Sequence, residues 1–190
     1  MEKITDKTGR IAFIGGGMMA EAILKGMLHK EIAAPEMIII SDPSAGRREY
    51  LEKTYKVNTT GCNAEAVKAA GFVILAVKPQ VADAAITKEV ADAIPQNTTV
   101  LSIMGSVNLD KLHKLVPGHA VIRVMPNTPL AVGCGMTAIA PDENVSEEML
   151  DVAKAVFGSC GEIEIIAESA IEAIAAVSGC GPGYVFMMID

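Results

Sequence analysis

The stretch IAFIGGGMMAEAI, residues 11–23, joins a short apolar run to a helix-like pattern through three consecutive glycines. Its central segment, GGGMMA, fits the pattern G-x-G-x-x-A directly after a predicted strand and directly before a predicted helix. In that context Gly15 permits the tight turn, Gly17 lets a pyrophosphate approach the backbone, and Ala20 lets the helix pack closely on the sheet. The stretch therefore predicts a dinucleotide site at a helix N-terminus, with a plain tight turn as the alternative.

The chain around this loop alternates between apolar strands and helix-like segments. Strands are predicted at residues 11–14, 37–40, 72–77, 99–103 and 121–124, and helices at residues 18–29, 45–53, 64–70, 81–93 and 109–115. Short, continuously apolar strands that alternate with helices are typical of a parallel sheet covered on both faces. The predicted fold class is α/β, a Rossmann-like, doubly wound and mostly parallel sheet.

The pattern changes after Asn127. GCGMTAIAP reads as another strand, residues 146–157 have helical spacing with Ser146 as N-cap, and EIEII reads as a last strand. Both sides of SGCGPG look helical, and residues 184–190 are apolar without a helix stop signal. We therefore predict a dinucleotide-binding domain over residues 1–167, and over residues 168–190 the first helices of an all-α dimerisation domain that continues in a longer protein.

Composition excludes several classes of partner. Of the 190 residues, 51% are hydrophobic, which is enough for a substantial core, and the net charge is −7. The longest basic run is Arg47-Arg48, so nucleic acid is not an expected partner. The first ten residues are polar, and the chain has no uncharged apolar run of 18 residues, so we expect a cytoplasmic protein without a membrane partner.

The cysteines and histidines do not form a recognisable metal or nucleophile motif. Cys62, Cys134, Cys160 and Cys180 are widely spaced, so we predict no metal site and interpret them as reduced, buried packing residues. The three histidines fall near predicted helix ends or loops, away from candidate nucleophiles.

The end of the second strand bears on the choice of nicotinamide cofactor. Asp42 follows Ala20 by 22 residues, where an acid that accepts from a ribose 2′-hydroxyl is expected in NAD-binding proteins. Ser41, Ser44, Arg47 and Arg48 instead offer hydroxyl and guanidinium groups for the 2′-phosphate of NADP, although the arginines also fit an ordinary solvated helix face. Both alternatives remain open at this point.

Few titratable groups follow the later strands. Their carboxyl ends carry AVKPQ, SIMGS and MPNTP, in which Lys78 is the only charged residue and also fits a solvent-facing lysine before a helix. Asn127 and Thr128 lie in a stiff turn between two prolines, suited to orienting a carboxamide or a polar group of a substrate. A site without a strong acid or base favours hydride transfer, in which the cofactor carries the chemistry.

The motifs resemble those of one family. FIGGGMMAEAI, VILAVKPQ, VIRVMPNTP, GCGMTAIAP and AVSGCGPGYVFMMID are similar, in order and spacing, to pyrroline-5-carboxylate reductase. The resemblance implies a Rossmann domain that binds NADPH, with NADH as the alternative, and a helical domain that forms homodimers or larger homo-oligomers. It implies reduction of 1-pyrroline-5-carboxylate to L-proline by hydride transfer to the imine carbon. The cofactor contacts that it implies are Gly15, Gly17, Met18, Ala20, Ala76, Val77, Lys78, Pro79, Asn127 and Thr128. The further candidate contacts, taken from the residue pattern, are Met19, Ser41, Asp42 and Arg47.

The sequence departs from the family pattern at three places. Met104, Gly105 and Ser106 stand where relatives usually show two alanines and a glycine, and Asp42 stands where many carry a neutral residue. The substrate loop of the family, and with it the catalytic residues, is expected mainly beyond residue 190. The resemblance thus implies that this chain binds the cofactor and lacks the full substrate site.

Two rival functions remain. A dehydrogenase of the hydroxyacid or 6-phosphogluconate type shares the first motif, but residues 169–190 contain no lysine of the kind those enzymes need. A non-catalytic dinucleotide-binding module is the other rival.

Overall fold

The computed structural model describes residues 3–189; Met1, Glu2 and Asp190, the last residue of the apolar stretch 184–190, lie outside it. The strands are β1 Arg10–Ile14, β2 Ile38–Ser41, β3 Asn58–Thr60, β4 Ala70–Leu75, β5 Thr99–Ser102, β6 Val121–Met125, β7 Gly135–Pro141 and β8 Gly161–Ile165. The helices are α1 Ile4–Thr8, α2 Met18–His29, α3 Ala45–Tyr55, α4 Asn63–Val67, α5 Ala82–Ala85, α6 Lys88–Ala93, α7 Leu109–Leu115, α8 Glu147–Gly158, α9 Ile171–Ile174 and α10 Gly181–Ile189.

All these strands belong to one sheet in the order β3-β2-β1-β4-β5-β6-β7-β8. The pairs from β3 to β6 are parallel, β7 runs antiparallel to β6, and β8 is parallel to β7. The strand order reverses between β1 and β4, which is the topological switch point where open α/β sheets bind ligands. The predicted doubly wound, mostly parallel α/β fold is confirmed.

Two apolar cores cover the two faces of the sheet. One contains Phe13 of β1, Leu24 of α2 and Phe157 of α8, and the other contains Val73 of β4, Val90 of α6 and Leu112 of α7. Neighbouring residues of each strand point to opposite faces, and in β1, β2, β4, β5 and β6 both faces are buried. This is why these strands are continuously apolar in the sequence rather than alternating.

Polar residues begin the helices that leave the sheet. The side chains of Ser44, Thr87, Asn108 and Ser146 each accept a hydrogen bond from a first-turn amide of α3, α6, α7 and α8. Such caps satisfy amides that have no partner within the helix. The expected cap at Ser146 is therefore present, whereas α2 begins at Gly17 without any side-chain cap.

Several sequence-based boundaries were wrong. The helix predicted over residues 81–93 is divided into a 3₁₀ turn, Pro79–Val81, and the short helices α5 and α6. The strand predicted at residues 72–77 begins earlier and ends at Leu75. The sequence patterns also missed α1 and the edge strand β3. β3 is only partly buried, so its sequence carries no apolar pattern. Of the four cysteines only Cys160 is buried, so the packing interpretation was wrong for the other three.

A continuous helical stretch follows β8. It starts as a 3₁₀ turn, Glu168–Ala170, continues through α9 and a π-helical turn, Ala175–Gly179, and ends with α10. Glu168–Ile189 is long and apolar enough to cross a membrane by length and composition, but one such helix is weak evidence for a membrane span. The side chains of α10 are exposed, with Met187 at 82%. Exposed apolar patches of this kind are typical of interaction surfaces.

Candidate functional site

The glycine loop connects β1 to α2 at the switch point. Gly15 has a φ of +98°, and a Cβ added there would lie 2.6 Å from the carbonyl oxygen of Ala76. A Cβ added at Gly17 would meet no atom within 4 Å, since this residue faces open space in front of α2. Gly15 is therefore needed for the tight turn and for the close approach of the segment after β4. Gly17 instead leaves the space in front of α2 open.

The carboxylate of Asp42 holds the glycine loop from the neighbouring strand. One oxygen accepts a hydrogen bond from the Gly16 amide at 3.0 Å, and the other accepts from the Ser44 amide at 2.9 Å. Asp42 thereby joins the loop to the start of α3. The two amides leave each oxygen with further acceptor capacity, so the contact remains compatible with a ribose hydroxyl.

Arg47 lies across the glycine loop. Its Nε donates to the carbonyl oxygen of Gly16 at 2.5 Å, and its guanidinium also bonds the Glu21 carboxylate and stacks over the ring of Tyr50 at 5.1 Å. Glu21 further accepts from the hydroxyls of Tyr50, at 2.9 Å, and Tyr55, at 2.7 Å. These side chains tie the first turn of α2 to α3.

This cluster shifts the titration of Glu21. Burial raises the pKa of the Glu21 carboxyl, but the hydrogen bonds from Tyr55, Arg47 and Tyr50 outweigh it, so its pKa lies below the ordinary value of 4.5. Burial and the hydrogen bond to Glu21 raise the pKa of Tyr55 well above its usual range, so its hydroxyl remains a donor.

Glu21→Gln is expected to change the acid sensitivity of the fold. Because the carboxyl pKa is lower in the folded state than in the unfolded state, the stability from Glu21 is complete above about pH 5 and is lost as the pH falls through the lowered pKa. Urea unfolding at pH 7, 5 and 3 should show a deficit of the variant that shrinks at pH 3. The exposed Glu143→Gln serves as control, and a deficit that is constant with pH would contradict the assignment.

Ser41 and Arg48 are both bonded to neighbouring parts of the protein, Ser41 in the interior and Arg48 at the surface. The Ser41 hydroxyl is buried and donates to the side-chain oxygen of Asn63 at 2.6 Å, so it does not face the loop opening. Arg48 donates to the carbonyl oxygens of Asp42, at 2.7 Å, and Pro43, at 3.1 Å. Arg48 therefore lies beside the loop that follows β2, whereas the Arg47 side chain lies on the glycine loop.

The segment after β4 lies against the glycine loop. The Ala76 carbonyl and the Val77 side chain are the nearest atoms to a Cβ built at Gly15, and the Ala76 amide donates to the Ile14 carbonyl at 2.8 Å. Lys78 is exposed and precedes the 3₁₀ turn that Pro79 begins. The structure thus brings Ala76 and Val77 to the loop, whereas the Lys78 side chain faces solvent.

Asn127 joins three parts of the chain. Its amide nitrogen donates to the hydroxyl of Ser178 at 3.1 Å and to the carbonyl of the same residue at 3.3 Å, and its oxygen accepts from the Met136 amide at 2.9 Å. Its side chain is therefore used to hold the π-helical turn against the end of β6. Thr128 begins a 3₁₀ helix, Thr128–Val132, and is exposed.

The sequence analysis missed Arg123, in the middle of β6. It is 3% exposed and forms ion pairs with Glu168, at 3.2 Å, and Glu172, at 2.6 Å. A charged residue within the apolar run VIRVM was the available signal, since a buried charge must be paired.

The residues of the loop fit a pyrophosphate. The N-terminus of α2 carries first-turn amides without a side-chain cap, and Gly17 leaves the space in front of them open. Helix N-termini of this kind bind phosphate groups through amides and the helix dipole. Within residues 3–189, no group of three or more His, Cys, Asp or Glu is placed to hold a metal ion.

Comparisons with known proteins agree with this geometry. Residues 10–106 match the family described as NADP oxidoreductase coenzyme F420-dependent. The chain is 43% identical over 181 residues to the pyrroline-5-carboxylate reductase of Synechocystis and 35% identical over 184 residues to that of Escherichia coli, covering 95% of this chain and 67% of each relative. It spans about two thirds of the length of these curated relatives.

Solved structures show the same likeness. The pyrroline-5-carboxylate reductase of Coxiella burnetii superposes with a TM-score of 0.89 at 30% identity, covering 94% of this chain and 67% of that one. The Plasmodium falciparum pyrroline carboxylate reductase, solved with NADP bound, gives 0.84 at 29% identity, covering 95% and 66%. On the strength of these identities and this shared architecture, the chain belongs to the pyrroline-5-carboxylate reductase family.

Proposed function

We propose that this chain carries the cofactor-binding part of an NADPH-dependent reductase that converts 1-pyrroline-5-carboxylate to L-proline. The observation that carries the proposal is the open, uncapped N-terminus of α2 behind Gly17, in a chain of this family. The reduced nicotinamide, when bound, supplies the hydride to the imine carbon of the substrate. A non-catalytic module would bind the cofactor without transferring this hydride, and this difference distinguishes it from the proposed reductase.

The chain's own residues bind and orient the two halves of the cofactor. The amides of Met18, Met19 and Ala20 are in place to bind the pyrophosphate at the start of α2. Asp42 and Arg47 face the ribose end, whereas Ala76, Val77 and the turn at Asn127 line the path toward the nicotinamide. Lys78, Pro79 and Thr128 flank that path, and the Ser41 hydroxyl, bonded to Asn63, supports the ribose end from inside the sheet.

The finer parts of the proposal concern cofactor, domains and assembly. Arg47 and Arg48 at the start of α3 support NADPH, with NADH as the alternative. We propose a domain boundary near residue 168, because β8 ends at Ile165 and helices follow. The exposed apolar side chains of α10 support a homodimer or larger homo-oligomer. We also propose that the enzyme works in the cytoplasm.

Calorimetric titration with NADPH and NADH tests the proposal, followed by addition of 1-pyrroline-5-carboxylate while the absorbance of the reduced nicotinamide is recorded. Rapid loss of absorbance from this chain alone would contradict the expectation that it lacks the full substrate site, whereas binding of NADPH or NADH supports the proposal. Binding of neither cofactor overturns it, since the three glycines would then form only a turn. The rival dehydrogenase function predicts oxidation of a hydroxyacid with the oxidised cofactor and no response to the imine.

Asp42→Ser is expected to shift the cofactor preference toward NADPH. The variant removes one negative charge beside the ribose, and two charges about 4 Å apart in water repel by about 1 kcal/mol, which corresponds to about a fivefold change in the ratio of the two dissociation constants. Loss of the bond to the Gly16 amide affects both cofactors alike, so their ratio isolates the charge. Asp110→Ser, an exposed site on α7, is the control. An unchanged ratio would show that Asp42 only braces the loop.

A further inference from the structure

Arg123 is a buried cation whose partners come from separate parts of the chain. Its Nη2 donates to the Gly105 carbonyl oxygen at 2.6 Å and contacts Glu172 at 2.6 Å, and its Nη1 contacts Glu168 at 3.2 Å. Glu168 also accepts from the Leu109 amide at 2.6 Å. One guanidinium therefore holds the loop after β5, and through Glu168 the start of α7, to the helical stretch after β8.

The Arg123 side chain is shielded from water, whereas its two carboxylate partners reach toward solvent. The side chain of Arg123 is 4% exposed, while Glu168 is 31% and Glu172 is 73% exposed. Breaking a buried ion pair by removing one partner leaves a charge without compensation, which costs far more than losing a surface pair. The planar guanidinium also donates hydrogen bonds to several acceptors at once, in a geometry that a lysine ammonium does not reproduce.

The elements that Arg123 connects lie on one side of the switch point. In doubly wound sheets the pyrophosphate lies over the glycine loop, so the cofactor extends from there across the carboxyl ends of the strands on either side. The ribose-facing Asp42 follows β2, whereas Gly105 and Asn127 follow β5 and β6. Ser178, which bonds Asn127, belongs to the same helical stretch as Glu168 and Glu172.

We propose that Arg123 is a positioning residue for the nicotinamide half of the cofactor site. It fixes the Gly105 loop and the helical stretch in one relative position, and the stretch in turn presents Ser178 to Asn127. The role rests on the proposed function, since it requires a dinucleotide bound across β1, β4, β5 and β6. Arg123 itself touches no part of the cofactor in this scheme.

The test compares two ligands on Arg123→Lys. NADPH occupies both halves of the site, whereas adenosine 2′,5′-bisphosphate occupies only the adenosine half. Loss of buried hydrogen bonds to a charged group is expected to weaken NADPH binding by about tenfold. Binding of adenosine 2′,5′-bisphosphate should change by less than about twofold, because Gly17 and Asp42 do not contact the altered residues.

Glu168→Gln is the second variant and keeps the test decisive if Arg123→Lys does not fold. Its amide retains an acceptor for the Leu109 amide but removes the charge that faces Arg123, so it should reproduce the selective loss of NADPH affinity. Lys88→Met breaks the exposed pair with Asp92 and is the matched control, with no change expected for either ligand.

Each result has a defined meaning. Selective weakening of NADPH in folded variants supports the positioning role. Equal weakening of both ligands, or no weakening of either, overturns it, because a merely structural residue does not discriminate between the halves of the cofactor. Wild-type protein that binds neither these two ligands nor NADH refutes the proposed function itself, and the inference with it. If the wild-type protein binds both ligands, the proposed function stands, and the variants alone decide the positioning role of Arg123.

Discussion

A Gly17→Ala protein is expected to fold normally and to lose NADPH affinity by more than about tenfold, which is about 1.4 kcal/mol. Gly17 has a φ of −68°, which alanine adopts without strain, and its new methyl would meet no protein atom within 4 Å. That methyl would occupy the open space in front of α2, where the pyrophosphate approaches the amides. Folding and binding are therefore separable at this residue.

Calorimetry with NADPH and a thermal melt of the same samples measure the two effects. Gly158→Ala, at the end of α8 and also without neighbours within 4 Å, is the control: its NADPH affinity should not change, and its melting temperature should rise slightly because alanine favours a helix more than glycine does. Unchanged NADPH affinity of the Gly17 variant would refute the placement of the phosphates at this helix N-terminus.

Gly15→Ala should give the opposite result, a loss of stability of about 3 kcal/mol. The positive φ of +98° costs a side-chain-bearing residue about 1–2 kcal/mol, and the new Cβ would lie 2.6 Å from a backbone oxygen that cannot move without displacing β4. For a chain of this size the melting temperature should fall by roughly 6–12 °C.

Thermal unfolding followed by circular dichroism, with Gly17→Ala as the comparison, checks this expectation. NADPH binding by any folded Gly15→Ala protein should also weaken, because the Ala76-Val77 segment has to shift. A melting temperature within about 2 °C of wild type would show that the loop relaxes around the methyl group.

The fold was predictable because its strands are buried on both faces. Five of the strands are rich in Ile, Val, Leu and Phe, which are stable inside a covered sheet and not at a solvent-exposed surface. The glycine loop marks where the first of these strands ends. The edge strand β3, with the sequence NTT, lacks that signal because one side of it faces solvent. The division of residues 81–93 depends on tertiary contacts and on Thr87, which caps α6 and so begins a new helix.

The candidate site was predictable only in part. The roles of Gly15 and Gly17 follow from backbone geometry, which the local sequence determines. The hydrogen-bond partners of the Arg47, Asn127 and Arg123 side chains lie 9–51 residues away in the chain, and no local pattern indicates them. Sequence alone therefore offered Arg47 as a partner of a ribose phosphate, and the structure adds its bonds to the Gly16 carbonyl oxygen and the Glu21 carboxylate.

The π-helical turn Ala175–Gly179 gains a meaning from the two contacts around it. Glu172 is held by Arg123 on one side of the turn, and Ser178 is held by Asn127 within it. Each residue of an α-helix advances the chain by about 100° around the axis, so one residue inserted or deleted between these contacts would rotate Ser178 away from Asn127. A π-turn takes one more residue per hydrogen-bonded turn than an α-turn. The number of residues between Glu172 and Ser178 thus determines which face of the helical stretch lies against the sheet.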